Sequence, residues 1–438
     1  MTPAPLPPGL FPPGTGEPDF STVAHALLRR IDGLCRHTER PGTVTRTFLS
    51  PAARELHAEL SVWAGEMGLD AWLDPAGNWH ARLPTAADGP DSRPTFYLGS
   101  HLDTVPDGGR YDGLLGVVLA LALAGALGEA GIPLPFGLEV LGFSEEEGVR
   151  FGVPFIGSLS ALGEAGELLD LTDPDGVTVA QAMRDFGLNP ARLSEAALPD
   201  GGLGYLEFHI EQGPVLEAAG QPLGGVSALV GQQRLDLTLS GRAGHAGTTP
   251  MELRHDALTA AAEWVLEVER LARSEPALAA TVGQLRAFPG ASNVIPGRVE
   301  LTLDLRHPDD RVREEQLSGL LANLERICGR RGVRATWEER SQVGAVPLDP
   351  GLLQELREAA RQVGLELPTL LSGAGHDAMI LARRMPAAML FLRTPGGVSH
   401  DPAEAVEGAD VAAALRVGWH FLLGLAARPL PRPSPEAS

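Results

Sequence analysis

The sequence predicts an α/β protein, a mixed-sheet α/β sandwich interrupted by an inserted ferredoxin-like (βαββαβ) unit. Three observations predict it. Strand-length and helix-length apolar runs alternate over residues 20–230 and again over 344–428, the order of a layered α/β structure. Between 231 and 343 the order changes to strand, helix, strand, strand, helix, strand. A chain of 438 residues also exceeds one comfortable core, which favours a second domain or a large insertion.

Taken in order, residues 1–19 open Met1-Thr-Pro-Ala-Pro-Leu-Pro-Pro and read as a disordered Pro-rich leader. A helix follows from Ser21, read as its N-cap, to Ile31, and a second spans Pro51 to Met67 before Gly68. Short strands at 71–73 and 79–83 are joined by the turn Asp74–Asn78. The strand from Thr95 enters a polar loop over 100–112. The apolar run Gly113–Gly128 comes next; it is shorter than the roughly 20 residues a bilayer requires and reads as a buried helix. The strand 138–143 runs directly into Ser144-Glu145-Glu146-Glu147-Gly148. In open α/β sheets functional groups gather beyond the carboxyl ends of strands, where both polar loops fall. The insert is read as strands 234–240, 281–286, 298–306 and 333–338 with helices 255–273 and 311–330. Residues 429–438 form a Pro-rich tail.

Composition excludes several classes. With 35 basic and 56 acidic residues the net charge is −21, which repels phosphate backbones and argues against nucleic acid. All the basic residues are Arg. A chain without Lys builds no pyridoxal Schiff base, P-loop lysine or kinase lysine. No G-x-S-x-G elbow is present. Cys35 and Cys328 form no C-x-x-C, and the N-terminus lacks a basic-then-apolar secretion pattern. The expectation is a cytoplasmic protein with no membrane partner.

Twelve histidines and 56 acids make accidental pairings common, so position has to discriminate. His25, His37, His57, His80, His255 and His420 lack an acidic loop context and read as surface or core histidines. His101 follows a strand in Gly99-Ser-His-Leu-Asp103, with Asp103 placed to hold its second ring nitrogen. Asp112 stands at the mouth of the apolar helix. Three successive carboxylates, Glu145–Glu147, are costly at a strand end unless a cation sits among them. One could then bind a divalent metal while its neighbour moves the proton of the attacking water. His209 and Gln212 lie in Glu207-Phe-His-Ile-Glu-Gln, and His400 in a turn near the C-terminus; no H-E-x-x-H motif occurs. Imidazole and carboxylate ligands suit zinc, manganese, cobalt or nickel better than calcium.

Nine motifs in order carry a resemblance. They are Gly99-Ser-His-Leu-Asp-Thr-Val, Tyr111-Asp-Gly, Glu146-Glu-Gly-Val-Arg-Phe, His209-Ile-Glu-Gln-Gly, Gly244-His-Ala-Gly-Thr-Thr-Pro-Met, Ser292-Asn-Val-Ile-Pro-Gly, Asp304-Leu-Arg-His, Ser372-Gly-Ala-Gly-His-Asp and Val398-Ser-His-Asp-Pro-Ala-Glu. From about Gly42 to the final helix the chain resembles the dinuclear metallopeptidase superfamily of peptidase M20 type, in its amidase, hydantoinase and carbamoylase branch. That branch holds N-carbamoyl-L-amino acid hydrolase, allantoate amidohydrolase and β-ureidopropionase. The resemblance implies a catalytic dimetal domain over 20–230 and 344–428 and a lid and dimerisation domain over 231–343. It implies two divalent metal ions per subunit, one held by His101 and His209, the other by Glu147 and His400, with Asp112 bridging and Glu146 as general base. His209, where the peptidase branch usually has an acid, points to ureido hydrolysis. His245, Asn293 and Arg306 on the insert, with Gln212 and the Gly375–His376 turn, match groups that grip a small ureido acid. The resemblance further implies a homodimer in which His245 can reach the partner subunit's site.

Overall fold

The computed structural model describes residues 16–84 and 94–428. The described residues form two compact units: those up to Ser227 with Leu348–Leu370 and those from His376 onward, and Ala228–Pro347 with Leu371–Gly375. Residues 1–15 of the expected leader, and the tail 429–438, lie outside the described residues; Glu17 is held to Arg416 and His420 of the last helix, at 3.1 and 3.2 Å.

The elements run α1 (Phe20–Leu34), α2 (Pro51–Glu66), β1 (Asp70–Leu73), β2 (Trp79–Arg82), β3 (Thr95–His101), α3 (Leu114–Glu129), β4 (Gly137–Phe143), α4 (Ile156–Ala161), α5 (Val179–Asp185), β5 (Gly204–Ile210), α6 (Val215–Ala219) and β6 (Leu223–Leu229). The second unit supplies β7 (Gly231–Ser240), β8 (Gly244–His245), α7 (Ala257–Ser274), β9 (Ala279–Thr281), β10 (Leu285–Phe288), β11 (Val294–Ile295), β12 (Arg298–His307), α8 (Asp310–Arg331), β13 (Arg334–Val343) and β14 (Val346–Pro347). The chain closes with α9 (Pro350–Gln362), β15 (Thr369–Ser372), α10 (Asp377–Leu381), β16 (Ala387–Leu392) and α11 (Gly408–Ala426).

In the first unit a mixed sheet has the order β1-β2-β4-β3-β5-β16-β6. The central pairs β4/β3, β3/β5 and β5/β16 are parallel and the outer ones antiparallel. Register positions the chemistry: His101 faces Phe143, the last residue of β4 before the acidic turn, and Gly99 faces Glu207, two residues short of His209. Helix α3 is buried from Leu114 to Leu127, so it has no polar face, as a central helix requires. Helix α11 is long and apolar enough to cross a bilayer, but Val411, Leu415, Trp419 and Phe421 are buried in the core. The N-cap of α1 is Asp19, not Ser21: its carboxylate accepts from the N–H groups of Ser21 and Thr22, and the helix begins one residue earlier.

The second unit is an antiparallel sheet in the order β10-β12-β7-β13, with β9 alongside β12, which is the ferredoxin-like arrangement. Burial alternates along β7 and β12. Leu235, Leu237, Leu239, Val299, Leu301, Leu303 and Leu305 turn toward α7 and α8, and polar residues occupy the other face. The strand expected over 281–286 is two strands, β9 and β10, both paired to β12 and interrupted around Gly283, where no side chain is available to pack.

Candidate metal centre

The first unit gathers His101, Asp112, Glu146, Glu147, His209 and His400 at the carboxyl ends of its parallel strands, His101 and His209 on β3 and β5 themselves and the others in loops. His101 Nδ1 lies 3.1 Å from the carbonyl of Asp103, and His209 Nδ1 lies 2.9 Å from that of Ile210. A carbonyl only accepts, so Nδ1 carries the proton in each ring and Nε2 of the neutral ring presents a lone pair. The two Nε2 atoms are 3.4 Å apart, and lie 3.3 Å (His101) and 3.2 Å (His209) from Asp112 Oδ1. That buried oxygen has no hydrogen-bond partner among the described residues. Three electron-pair donors converging on one point away from water fit a cation. On the other side of the same carboxylate, His400 Nε2 lies 3.3 Å from Asp112 Oδ2 and 3.5 Å from Glu147 Oε1. The trios His101–Asp112–His209 and Asp112–Glu147–His400 each bring ligand atoms within 4.8 Å of one another, and Asp112 belongs to both. This His and carboxylate set suits a divalent metal.

The supports are short-range. Asp103 lies against the second ring nitrogen of His101 as expected, its Oδ1 3.4 Å and its backbone carbonyl 3.1 Å from Nδ1. Its carboxylate oxygens also accept the N–H groups of Glu146 and Glu147 at 2.9 and 3.0 Å. Asp103 thereby fixes the turn that aims both glutamates. Gly113, at φ 65°, leaves room for the His101 ring; a Cβ there would lie 2.5 Å from Nδ1. Gln212, itself at φ 58°, donates from Nε2 to Asp112 Oδ2 at 2.8 Å, with His400 Nε2 at 3.3 Å.

Charge decides the protonation of the cluster. Burial pushes Glu146 well above the usual carboxylate range, opposed by His101 and reinforced by Glu147, Asp377 and Asp103. Burial likewise raises Glu147 to about 7, with Asp112 adding to it. Asp112 is held well below its usual value, because the imidazoles of His101, His209 and His400 beside it outweigh its burial. His101, His209 and His400 are raised, His101 by Asp103 and then Asp112 against its burial, His209 and His400 chiefly by Asp112. Protons and metal therefore compete for the same lone pairs.

The other expected residues divide by unit. His376 is buried in the first unit, its ring edge-on to that of His209 at 4.3 Å, and burial followed by His209 keeps it neutral. Gly375 is exposed and belongs to the second unit with His245, Asn293 and Arg306. There His245 and Asn293 are both exposed and share the β8/β11 ribbon: Val294 faces His245, and the Ala246 N–H donates to the Asn293 carbonyl at 2.9 Å. Arg306 is tied to Asp304 on β12.

Sequence reading missed two buried carboxylates. Glu404 Oε1 accepts the N–H groups of Tyr111 (2.8 Å) and Asp112 (3.1 Å), and its Oε2 lies 3.3 Å from the Ser399 hydroxyl, which in turn lies 3.0 Å from Asp112 Oδ2. The signal was the Gly108–Gly109 pair: a Cβ on Gly109 would lie 2.1 Å from the Glu404 carboxylate. Glu207, two residues before His209 on the same strand face, accepts from Ser100 Oγ at 3.0 Å and the Ala378 N–H at 2.8 Å. A charged residue in an otherwise apolar strand buried on both faces was its signal.

Residues 97–426 match the model of peptidase family M20/M25/M40. A probable allantoate deiminase of Oryza sativa subsp. japonica is 39% identical over 428 residues, covering 88% of this chain and 85% of the relative. An N-carbamoyl-L-amino acid amidohydrolase of Geobacillus stearothermophilus is 38% identical over 403 residues, covering 91% and 98%. The crystal structure of a hydantoinase/carbamoylase family amidase from Burkholderia ambifaria superposes with a TM-score of 0.85 at 34% identity, covering 93% of this chain and 98% of that one.

Proposed function

Because the chain belongs to peptidase family M20/M25/M40 and is a metal-dependent amidohydrolase acting on C–N bonds, we propose that it hydrolyses the ureido group of an N-carbamoyl-L-amino acid. The products are the amino acid, carbon dioxide and ammonia. The observation that carries the reading is the Asp112 carboxylate with one oxygen turned to each of two ligand trios, which supports a pair of divalent ions, zinc or manganese, cobalt or nickel. Bound there, such ions supply Lewis acidity and make water a nucleophile near neutral pH.

The chain's own residues do the rest. Glu146, its carboxyl raised by burial and turned into the cluster beside His101 and Glu147, takes the proton of the attacking water and returns it to the leaving nitrogen. His245 and Asn293 donate hydrogen bonds to the developing oxyanion, and Gln212 with the Gly375–His376 turn orients the ureido group. Arg306 anchors the substrate carboxylate through its fork of donors, a geometry Lys does not offer. The second unit serves as the lid and as the contact between two copies of the chain.

A second reading is allantoate, a diureido acid carrying the same α-ureido carboxylate. Relatives named allantoate deiminase, at 37–39% identity, favour it, whereas no observation favours the β-ureidopropionase alternative. Ammonia release from metal-reconstituted protein, offered N-carbamoyl-L-amino acids and allantoate in parallel, tests both. Turnover of several carbamoyl amino acids with allantoate inert supports the first reading. Turnover of allantoate alone replaces it with the second, and no turnover of either refutes both.

A further inference from the structure

Asp304 and Arg306 stand two apart on β12 and share its polar face, away from α7 and α8. The guanidinium lies side-on to the carboxylate, Nε donating to Oδ1 and Nη2 to Oδ2, both at 2.8 Å. Asp304 Oδ2 also accepts from Gln232 Nε2 at 2.9 Å and Arg234 Nε at 3.0 Å. Both come from β7, whose register sets Gln232 opposite Arg306 and Arg234 opposite Asp304. The carboxylate is thus clamped from two strands. Arg306 Nη1 donates to the Gly373 carbonyl at 2.5 Å.

Arginine has five N–H donors. Nε gives its single one to Asp304, Nη2 gives one of two to Asp304, and Nη1 gives one of two to Gly373. Among the described residues one N–H on each terminal nitrogen has no partner, and a second carboxylate can accept from the two terminal nitrogens end-on. Two arginines against one aspartate also leave the group with a single net positive charge. We propose that Asp304 is the positioning residue that turns Arg306 end-on toward substrate, and that the Asp304–Arg306–Arg234 set selects ureido acids bearing one free carboxylate over their neutral carboxamides. The proposal deepens the assignment of Arg306 as carboxylate anchor and rests on it.

Steady-state kinetics on a ureido acid that the enzyme turns over and on its carboxamide analogue test it, with metal content and Tm checked for each variant. Asp304→Asn turns an amide N–H toward the guanidinium. It is expected to raise KM for the acid about ten- to a hundredfold with kcat within about threefold, and to lower the acid-to-amide ratio of kcat/KM correspondingly. Asp304→Glu should recover part of that ratio, which a merely structural role would not predict. Arg306→Ala reads the anchor itself. If it abolishes the acid preference while Asp304→Asn changes neither KM nor the ratio, the positioning role is overturned and the anchor stands. If Arg306→Ala leaves the preference intact, the anchor falls and the positioning role with it. Should Asp304→Asn lose metal or melt early, Gln232→Ala removes one support and leaves both partners in place. An acid KM raised about threefold then upholds the proposal, and an unchanged KM overturns it.

Discussion

His80, on β2, is buried between two acids, with Nδ1 2.8 Å from Glu139 Oε1 and Nε2 3.4 Å from Asp74 Oδ2. Trp72 stacks on the ring at 5.0 Å, and Arg82 holds the other Glu139 oxygen at 2.9 Å. Burial alone would lower the His80 pKa; the two carboxylates outweigh it and raise it from 6.5 to about 9. A group whose folded pKa lies above its unfolded one contributes stability fully below the unfolded value, here 6.5, and loses it as pH climbs through about 9. The gap between those values, at about 1.4 kcal/mol per pH unit, is worth about 3 kcal/mol. His80→Gln removes the charge and leaves a polar side chain of similar reach. Urea unfolding of wild type and variant, with metal chelated so that ligand linkage is silent, should give a stability gap that shrinks by about 3 kcal/mol from pH 6 to pH 9.5. Parallel curves across that window would refute the reasoning, since the imidazole would then be uncharged between Asp74 and Glu139.

Three further outcomes concern the centre. Glu146→Gln should keep its metal and lose activity by roughly 10²–10⁴-fold, read by elemental analysis and ammonia release; activity within tenfold of wild type removes the proton-transfer role. Asp112→Ala takes one ligand from each trio, so bound metal per chain should fall for both sites together; full stoichiometry would show that the carboxylate is not shared. Gly113→Ala drives a Cβ into the His101 ring from a φ of 65°, and metal affinity should drop by roughly 10–100-fold with the fold retained; unchanged affinity would mean the ring has room to turn.

What was legible in the sequence was what is local. The apolar run after Gly113, the acids after β4 and the histidine at the end of β3 announce themselves by spacing, because a strand's carboxyl end and a buried helix are written in consecutive residues. Sheet order is not. Glu404 reaches the Asp112 loop across 292 residues, and nothing near Glu404 states that destination. The contact of Asp103 with its neighbour His101 is local and legible, but the hold of its carboxylate on the Glu146 and Glu147 N–H groups depends on the parallel pairing of β3 with β4. The break between β9 and β10 escaped because Val282-Gly283-Gln284 continues an extended pattern whose register fails only against β12.

The order in which this chain leaves the ribosome bears on how the cluster is assembled. His101, Asp112, Glu147 and His209 precede the second unit in the chain, and His400 and the Glu404 that ties down the Asp112 loop follow it. Synthesis proceeds at roughly 5–20 residues per second, so the second unit has time to emerge whole before His400 joins the cluster. A nascent chain therefore exposes a half-built cluster of imidazoles and carboxylates until His400 and Glu404 have followed the second unit out.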